Sequence, residues 1–204
     1  MLLAIDTSAG TSVAIVDRDA GILAERSVAD TMRHAEVIGE MIRDVLAEAG
    51  IAPERLELVV AGMGPGPFTG LRVGIAAARA FALGIGRPVV PAVSHDAVAF
   101  DEWSAGVRGP VLVVTDARRR EVYWSSYDLG DQGAVRSDGP ALCRPDELPY
   151  PDFERVDATQ ISAGALGRVA RVQREGGEQP DLTEPLYLRS PDVTMPGARK
   201  RVTR

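Results

Sequence analysis

The sequence predicts an α/β protein in two halves, each a sheet flanked by helices, and three observations carry that prediction. Apolar segments in the first half follow the order β-β-β-α-β-α-β, with strand-length runs and helix-length amphipathic stretches parted by turn residues. A glycine-rich loop, Gly62-Met63-Gly64-Pro65-Gly66-Pro67-Phe68-Thr69-Gly70, joins one strand directly to a long helix. Beyond a joint at 106–110 the pattern of strand, Asp-bearing turn and strand starts again, so the second half opens as the first did.

Residues 2–5, 12–16 and 22–27 read as short strands, separated by turns at Asp6-Thr7-Ser8-Ala9-Gly10 and Asp17-Arg18-Asp19-Ala20-Gly21. A helix capped by Asp30 or Thr31 runs to Ala49, where Gly50 stops it and Pro53 follows. A strand over 57–62, a helix over 69–86, a strand over 88–93 and a helix from Ser94 complete this half. Residues 111–114 and 121–127 then form a hairpin around Thr115-Asp116-Ala117-Arg118-Arg119-Arg120. The stretch 130–157 is rich in loop signals and offers only a short strand at 134–136. A helix over 161–174 sets Ile161, Ala165, Leu166, Val169 and Val172 on one stripe, and Leu186-Tyr187-Leu188-Arg189 closes the ordered part. The expected domains are 1–106, 107–193 and a basic tail over 194–204, which reads as solvated and disordered rather than as a nucleic-acid-contacting arm.

A chain of 204 residues buries roughly 70% of its unfolded surface and needs no disulfide or metal to fold. The single Cys143 permits no internal disulfide, consistent with a reducing cytoplasm. A net charge of −6 argues against a stand-alone nucleic-acid binder. No run reaches the length of a membrane span, and the carboxylate of Asp6 comes too early for a signal peptide, so a cytoplasmic protein is expected.

Two loops attract a chemical reading. In Asp6-Thr7-Ser8 the hydroxyls and amides suit a phosphate while the carboxylate suits a metal-bound water. The same residues are ordinary turn formers. The glycine loop lacks the Gly-Lys-Ser/Thr ending of a P-loop and the spacing of a dinucleotide fingerprint. A helix N-terminus with Thr69 as cap attracts an anion, whereas a tight connection chosen for packing explains the glycines equally well. The candidate anion or nucleotide loop therefore comprises Asp6, Thr7, Ser8, Gly64, Gly66, Thr69 and Gly70. Catalytic groups are scarce: two histidines, His34 and His95, form no metal cluster with Cys143, and no G-x-S-x-G elbow is present.

The two N-terminal helices are apolar over more of their circumference than one sheet can cover. In the first, Val37, Ile38, Met41, Ile42, Val45, Leu46 and Ala49 spread over half the wheel, wider than the ~100° that a single neighbour needs. The second is apolar nearly all round, interrupted mainly by Arg72 and Arg79. An extra neighbour follows, either inside the subunit or from a partner helix.

Four stretches carry a family resemblance: Leu3-Ala4-Ile5-Asp6-Thr7-Ser8, Arg33-His34-Ala35-Glu36, Gly64-Pro65-Gly66-Pro67-Phe68-Thr69-Gly70-Leu71-Arg72-Val73-Gly74 and Asp116-Ala117-Arg118-Arg119-Arg120-Glu121-Val122-Tyr123. Pro185-Leu186-Tyr187-Leu188-Arg189 adds a fifth. Together they resemble the TsaB (formerly YeaZ) family, tRNA threonylcarbamoyladenosine biosynthesis subunits of the sugar kinase/Hsp70/actin superfamily. The resemblance implies two actin-like, ribonuclease H-like subdomains with mixed sheets, the second degenerate. It implies a subunit without catalysis or cofactor of its own, paired with the catalytic paralogue TsaD, working with the ATPase TsaE and meeting tRNA only through the complex. ATP and metal are then expected on the partner subunits. In the paralogue a His-x-x-x-His pair holds the metal; the matching stretch here is His95-Asp96-Ala97-Val98-Ala99, with the second position filled by Ala99. The resemblance also gives the wide helices a use, pairing with the paralogue or, when alone, with a second copy. On that reading His34, Val37, Ile38, Met41, Val45, Arg72, Ile75, Ala78, Arg79 and Ala82 meet the partner. Pro67 stands where relatives carry Ser, which removes a hydroxyl from the loop. The competing readings are a small-molecule kinase or ATPase of the same superfamily, for which no adenosine loop or general base is found, and an M22-like metalloprotease, against which the missing histidine weighs.

Overall fold

Five consecutive buried residues make β1 (Leu2–Asp6) a central strand, since a run apolar on both faces fits only a sheet covered on both sides. The computed structural model describes residues 1–177 and 182–189. β1 lies in a five-stranded sheet with β2 (Thr11–Asp17), β3 (Gly21–Val28), β4 (Leu58–Gly62) and β5 (Val89–Ala92), in the order β3-β2-β1-β4-β5. The β1–β2–β3 meander is antiparallel, and β4 and β5 add in parallel through helical crossovers, so the sheet is mixed. A second mixed sheet holds β6 (Gly109–Asp116), β7 (Val122–Gly130), β8 (Gly133–Cys143) and β9 (Glu154–Asp157), in the order β8-β7-β6-β9.

The alternation of side chains along the strands sorts the core into layers. Leu3, Ile5, Val13, Ile15, Val59 and Ala61 face α1 (His34–Ala49) and α2 (Phe68–Gly84). Leu2, Ala4, Ala14, Val16 and Val60 point to the opposite face. There they meet α4 (Ala163–Glu175) and α3 (Ser94–Ser104), which are packed together with Val111, Val113, Tyr127 and Leu129 of the second sheet. One hydrophobic layer thus joins the two sheets.

Several boundaries differ from the sequence expectation. Neither Asp30 nor Thr31 caps α1: the helix starts at His34, and the Asp30 carboxylate instead accepts the Met32 amide in a turn of its own. Thr69 does not cap α2 either, because Pro67 occupies the N-cap and Thr69 falls inside the first turn. Gly50 ends α1 as expected, with φ of 65°. The stretch 130–157 holds two strands: β8 is 11 residues long and β9 pairs in parallel with β6. The expected strand at 134–136 lies inside β8; Pro140 and the glycines of β8 hid the rest, and an edge strand tolerates both.

The division at 107 separates the sheets but not the helices. Helix α4 returns to the first sheet, where Ser162 accepts the Ala165 amide and the Glu25 carboxylate of β3 accepts the Gly164 amide at 3.2 Å. A carboxylate at a helix N-terminus is favourable there. The basic tail over 194–204 lies outside the described residues.

Candidate functional site: the glycine loop, the outer helices and the cleft

The turn after β1 and the glycine loop after β4 are locked into each other. Asp6 accepts the Ser8 amide at 2.8 Å and the hydroxyls of Ser8 and Ser94 at 2.5 Å each, while Thr7 donates to the Gly70 carbonyl at 2.8 Å. Burial raises the Asp6 pKa, and the hydrogen bonds from Ser8 and Ser94 offset part of that rise. Gly66, Gly70 and Gly74 fall four residues apart and pack on this turn. A β-carbon would lie 2.8 Å from the Ser8 Cα at Gly66, 2.7 Å from the Thr7 carbonyl oxygen at Gly70, and inside the Thr7 side chain at Gly74. Gly64, with φ of +94°, adopts the left-handed backbone that favours glycine. The glycines are explained by close backbone approach, and the Asp6, Thr7 and Ser8 side chains are buried and engaged with one another and with their neighbours. Thr69 alone of the candidate anion-loop residues is exposed.

Most of the residues expected on the partner surface pack within their own chain. His34, Ile38, Met41 and Val45 of α1, and Ile75, Ala78 and Ala82 of α2, are buried against the first sheet, and Val37 is half-buried on the same layer. The apolar arc of α1 is wide because it meets the sheet and α2 together, and its outward residues Glu36, Glu40, Arg43 and Asp44 are polar. The His34 ring is held by Thr11 at 2.7 Å and sits over Gly70, and burial lowers its pKa. Helix α2 keeps a run of apolar residues facing outward: Ala76, Ala80 and Leu83 are exposed, Leu83 to 83%.

Arg72 and Arg79, one heptad apart on that helix, hold a strap formed by residues 182–189. The Arg72 guanidinium lies 3.6 Å over the Phe68 ring and donates to the Tyr187 hydroxyl, while Arg79 donates to the Thr183 carbonyl. The strap also pairs with the glycine loop, the Leu186 amide donating to the Met63 carbonyl at 2.9 Å. Arg189 then forms an ion pair with Glu121 of the second half.

Between the halves lies a cleft of about 350 Å³ lined by Ser8, Thr31, Thr115, Asp116, Arg118 and Asp157. The turn Arg118-Arg119-Arg120 at its mouth has three consecutive positive φ values, 65°, 55° and 63°. Left-handed backbone at non-glycine residues is disfavoured, and tertiary contacts hold it here. The Arg118 amide donates to Asp116 and its guanidinium reaches the Thr31 hydroxyl at 2.6 Å, bridging the cleft. Arg118, Thr31 and Asp157 were not among the sequence candidates. The run of three arginines in a strand-to-strand turn was their visible signal.

His95 is fully buried at the junction of the sheets, its Nδ1 bonded to Ser125 at 2.8 Å and its Nε2 to Thr115 at 2.9 Å. Burial, helped by the Arg136 charge, holds its pKa down to about 3, so the ring is neutral. Both ring nitrogens are engaged in hydrogen bonds, and residue 99 is a buried alanine. No described helix is long and apolar enough to cross a membrane.

The fold is that of an α/β protein with two mixed sheets flanked by helices. A family model described as TsaD, tRNA N6-adenosine threonylcarbamoyltransferase, matches residues 18–173, so the chain belongs to that family. Within it the likeness is to the TsaB, or YeaZ, proteins. The TsaB tRNA threonylcarbamoyladenosine biosynthesis protein of Escherichia coli is 27% identical over 97% of this chain and 82% of its own length. An uncharacterised protein of Mycobacterium tuberculosis is 38% identical, covering 94% of this chain and 93% of its own. Among solved structures, YeaZ from Pseudomonas aeruginosa superposes with a TM-score of 0.77 at 26% identity, over 92% of this chain and 99% of its own.

Proposed function

We propose that this chain takes part in tRNA threonylcarbamoyladenosine formation as a non-catalytic subunit, pairing with a TsaD-type catalytic paralogue through the outward face of α2. The TsaE-type ATPase joins that complex, tRNA reaches the chain only through it, and ATP and metal reside on the partners in the cytoplasm. The observation that carries the reading is the His95 environment. A catalytic metal needs at least a second ligand beside an available imidazole. Here the imidazole is held on both sides by hydroxyls, and the position one helical turn on is Ala99. The apolar exposed face of α2 supports the pairing, since Ala76 and Ala80 let a partner helix approach closely and Leu83 supplies an anchor. In the absence of the paralogue the same face pairs two copies of this chain.

The test is reconstitution. The purified chain alone is expected to hydrolyse no ATP above background and to transfer no threonylcarbamoyl group, whereas adding it to the paralogue and the ATPase restores transfer to tRNA. Sustained turnover by the isolated chain contradicts the proposal and favours the kinase or ATPase reading.

A further inference from the structure

A groove of about 500 Å³ lies between α3, the C-terminal half of α4 and the start of β8. Its size falls in the range of small-molecule sites. Val135 of β8 and Val172 of α4 form its lips, exposed to 66% and 59%. Phe100 and Trp103 of α3 supply aromatic wall.

The floor is polar and built. The Asp96 carboxylate, buried to 8% exposure, accepts from the Tyr127 hydroxyl at 2.8 Å and from Gln173 Nε2 at 3.1 Å, and forms an ion pair with the Arg136 guanidinium at 3.3 Å. The carboxylate sets the orientation of the Gln173 amide, because the amide nitrogen faces it. The amide oxygen is thereby left over. Gln173 Oε1 is the one buried side-chain oxygen or nitrogen, among the described residues, with no hydrogen-bond partner. A stranded buried acceptor is destabilising. Gln173 lines the groove, and the last torsion of a glutamine is soft, so meeting a bound donor turns the amide and loosens its bond to Asp96.

We infer that this groove binds a small neutral molecule with an apolar body and an N–H donor, the donor meeting Gln173 Oε1 and the body lying between Val135 and Val172. Neutrality follows from the lining: its charged groups are Asp96 and Arg136, already paired, so an added charge enters without a counter-charge. A primary amide suits the floor best, since its carbonyl can also accept from Arg136, a side chain with five N–H donors. The inference does not depend on the chain being a subunit of a larger complex.

The probe is benzamide, titrated into the isotope-labelled full chain and followed by amide and indole resonances. Shifts confined to Gly133, Val135, Gly176 and the Trp103 indole, with Kd on the order of 1 mM, are expected for a ligand of that size. N,N-dimethylbenzamide, which keeps the ring but has no N–H, is expected to bind the unaltered chain at least roughly fivefold more weakly, the worth of one hydrogen bond. Gln173→Met, which keeps the side-chain length and loses the acceptor, weakens benzamide by a similar factor. Shifts elsewhere, no shifts up to the solubility limit, equal binding of the dimethyl analogue, or unchanged binding by the methionine variant each overturn the inference.

Discussion

Glycine inside a helix normally lowers stability, so replacing it with alanine should help by up to ~1 kcal/mol. Gly70 and Gly84 both lie in α2 and part company on this point. A β-carbon at Gly84 meets nothing within 4 Å, whereas at Gly70 it presses on the Thr7 carbonyl and the His34 ring. Chemical denaturation should show Gly84→Ala stabilising by a few tenths to ~1 kcal/mol and Gly70→Ala destabilising by about 1–3 kcal/mol. Equal effects at the two sites contradict the interlocking of loop and turn. His95 supplies a second residue-scale prediction. Its folded pKa is depressed to about 3, so the folded state stays neutral while the unfolded chain takes up a proton below pH ~6.5. The stability present above pH ~6.5 is therefore lost as pH falls toward 3, at up to about 1.4 kcal/mol per unit. Between pH 7 and 5 the unaltered chain should lose about 2 kcal/mol more than His95→Asn does, as measured by urea unfolding.

At the scale of elements, the helices separate what periodicity shows from what it leaves open. Both amphipathic patterns gave true helices, and Gly50 and the glycine loop marked their ends. The count of apolar faces was legible; the identity of the neighbour was not. A wide arc is covered equally well by a sheet plus a sister helix or by another molecule, and in α1 it is the first that holds. Ala78 shows the consequence. Its exposure is 0%, so Ala78→Asp places a charge in the subunit's own core and should unfold the chain, which far-UV circular dichroism reads directly. Leu83→Asp lies on the exposed side of the same helix and should leave the melting temperature within a few degrees of the unaltered chain. The arginines taught a related lesson. Arg72 and Arg79 were expected to meet the partner; they bond the chain's own strap, a long-range pairing that no local pattern records. Strand β8 was read only over 134–136 for the same physical reason, since the rest of its stability comes from pairing with β7 rather than from its composition.

In the whole molecule, the recurrence of strand, Asp-bearing turn and strand correctly foretold two sheets, but not that α4 closes back on the first of them. Leu166 and Val169 of α4 sit in one layer with Leu2 and Val16 of the first sheet and Val113 of the second, and the Glu25 carboxylate ties β3 to the α4 N-terminus. The halves should therefore unfold in a single transition. The anion reading of the Asp6 turn was equally open in the sequence, because turn-forming and ligand-binding hydroxyls are the same residues; only their partners distinguish the two uses. The account as a whole turns on the outward face of α2. The measurement that tests it most directly is the molar mass, by size-exclusion chromatography with light scattering, of an equimolar mixture with a TsaD-type paralogue. The unaltered chain should run as the heterodimer, and folded Leu83→Asp should leave the two proteins to elute apart. A Leu83→Asp variant that still elutes with the paralogue as fully as the unaltered chain contradicts the account.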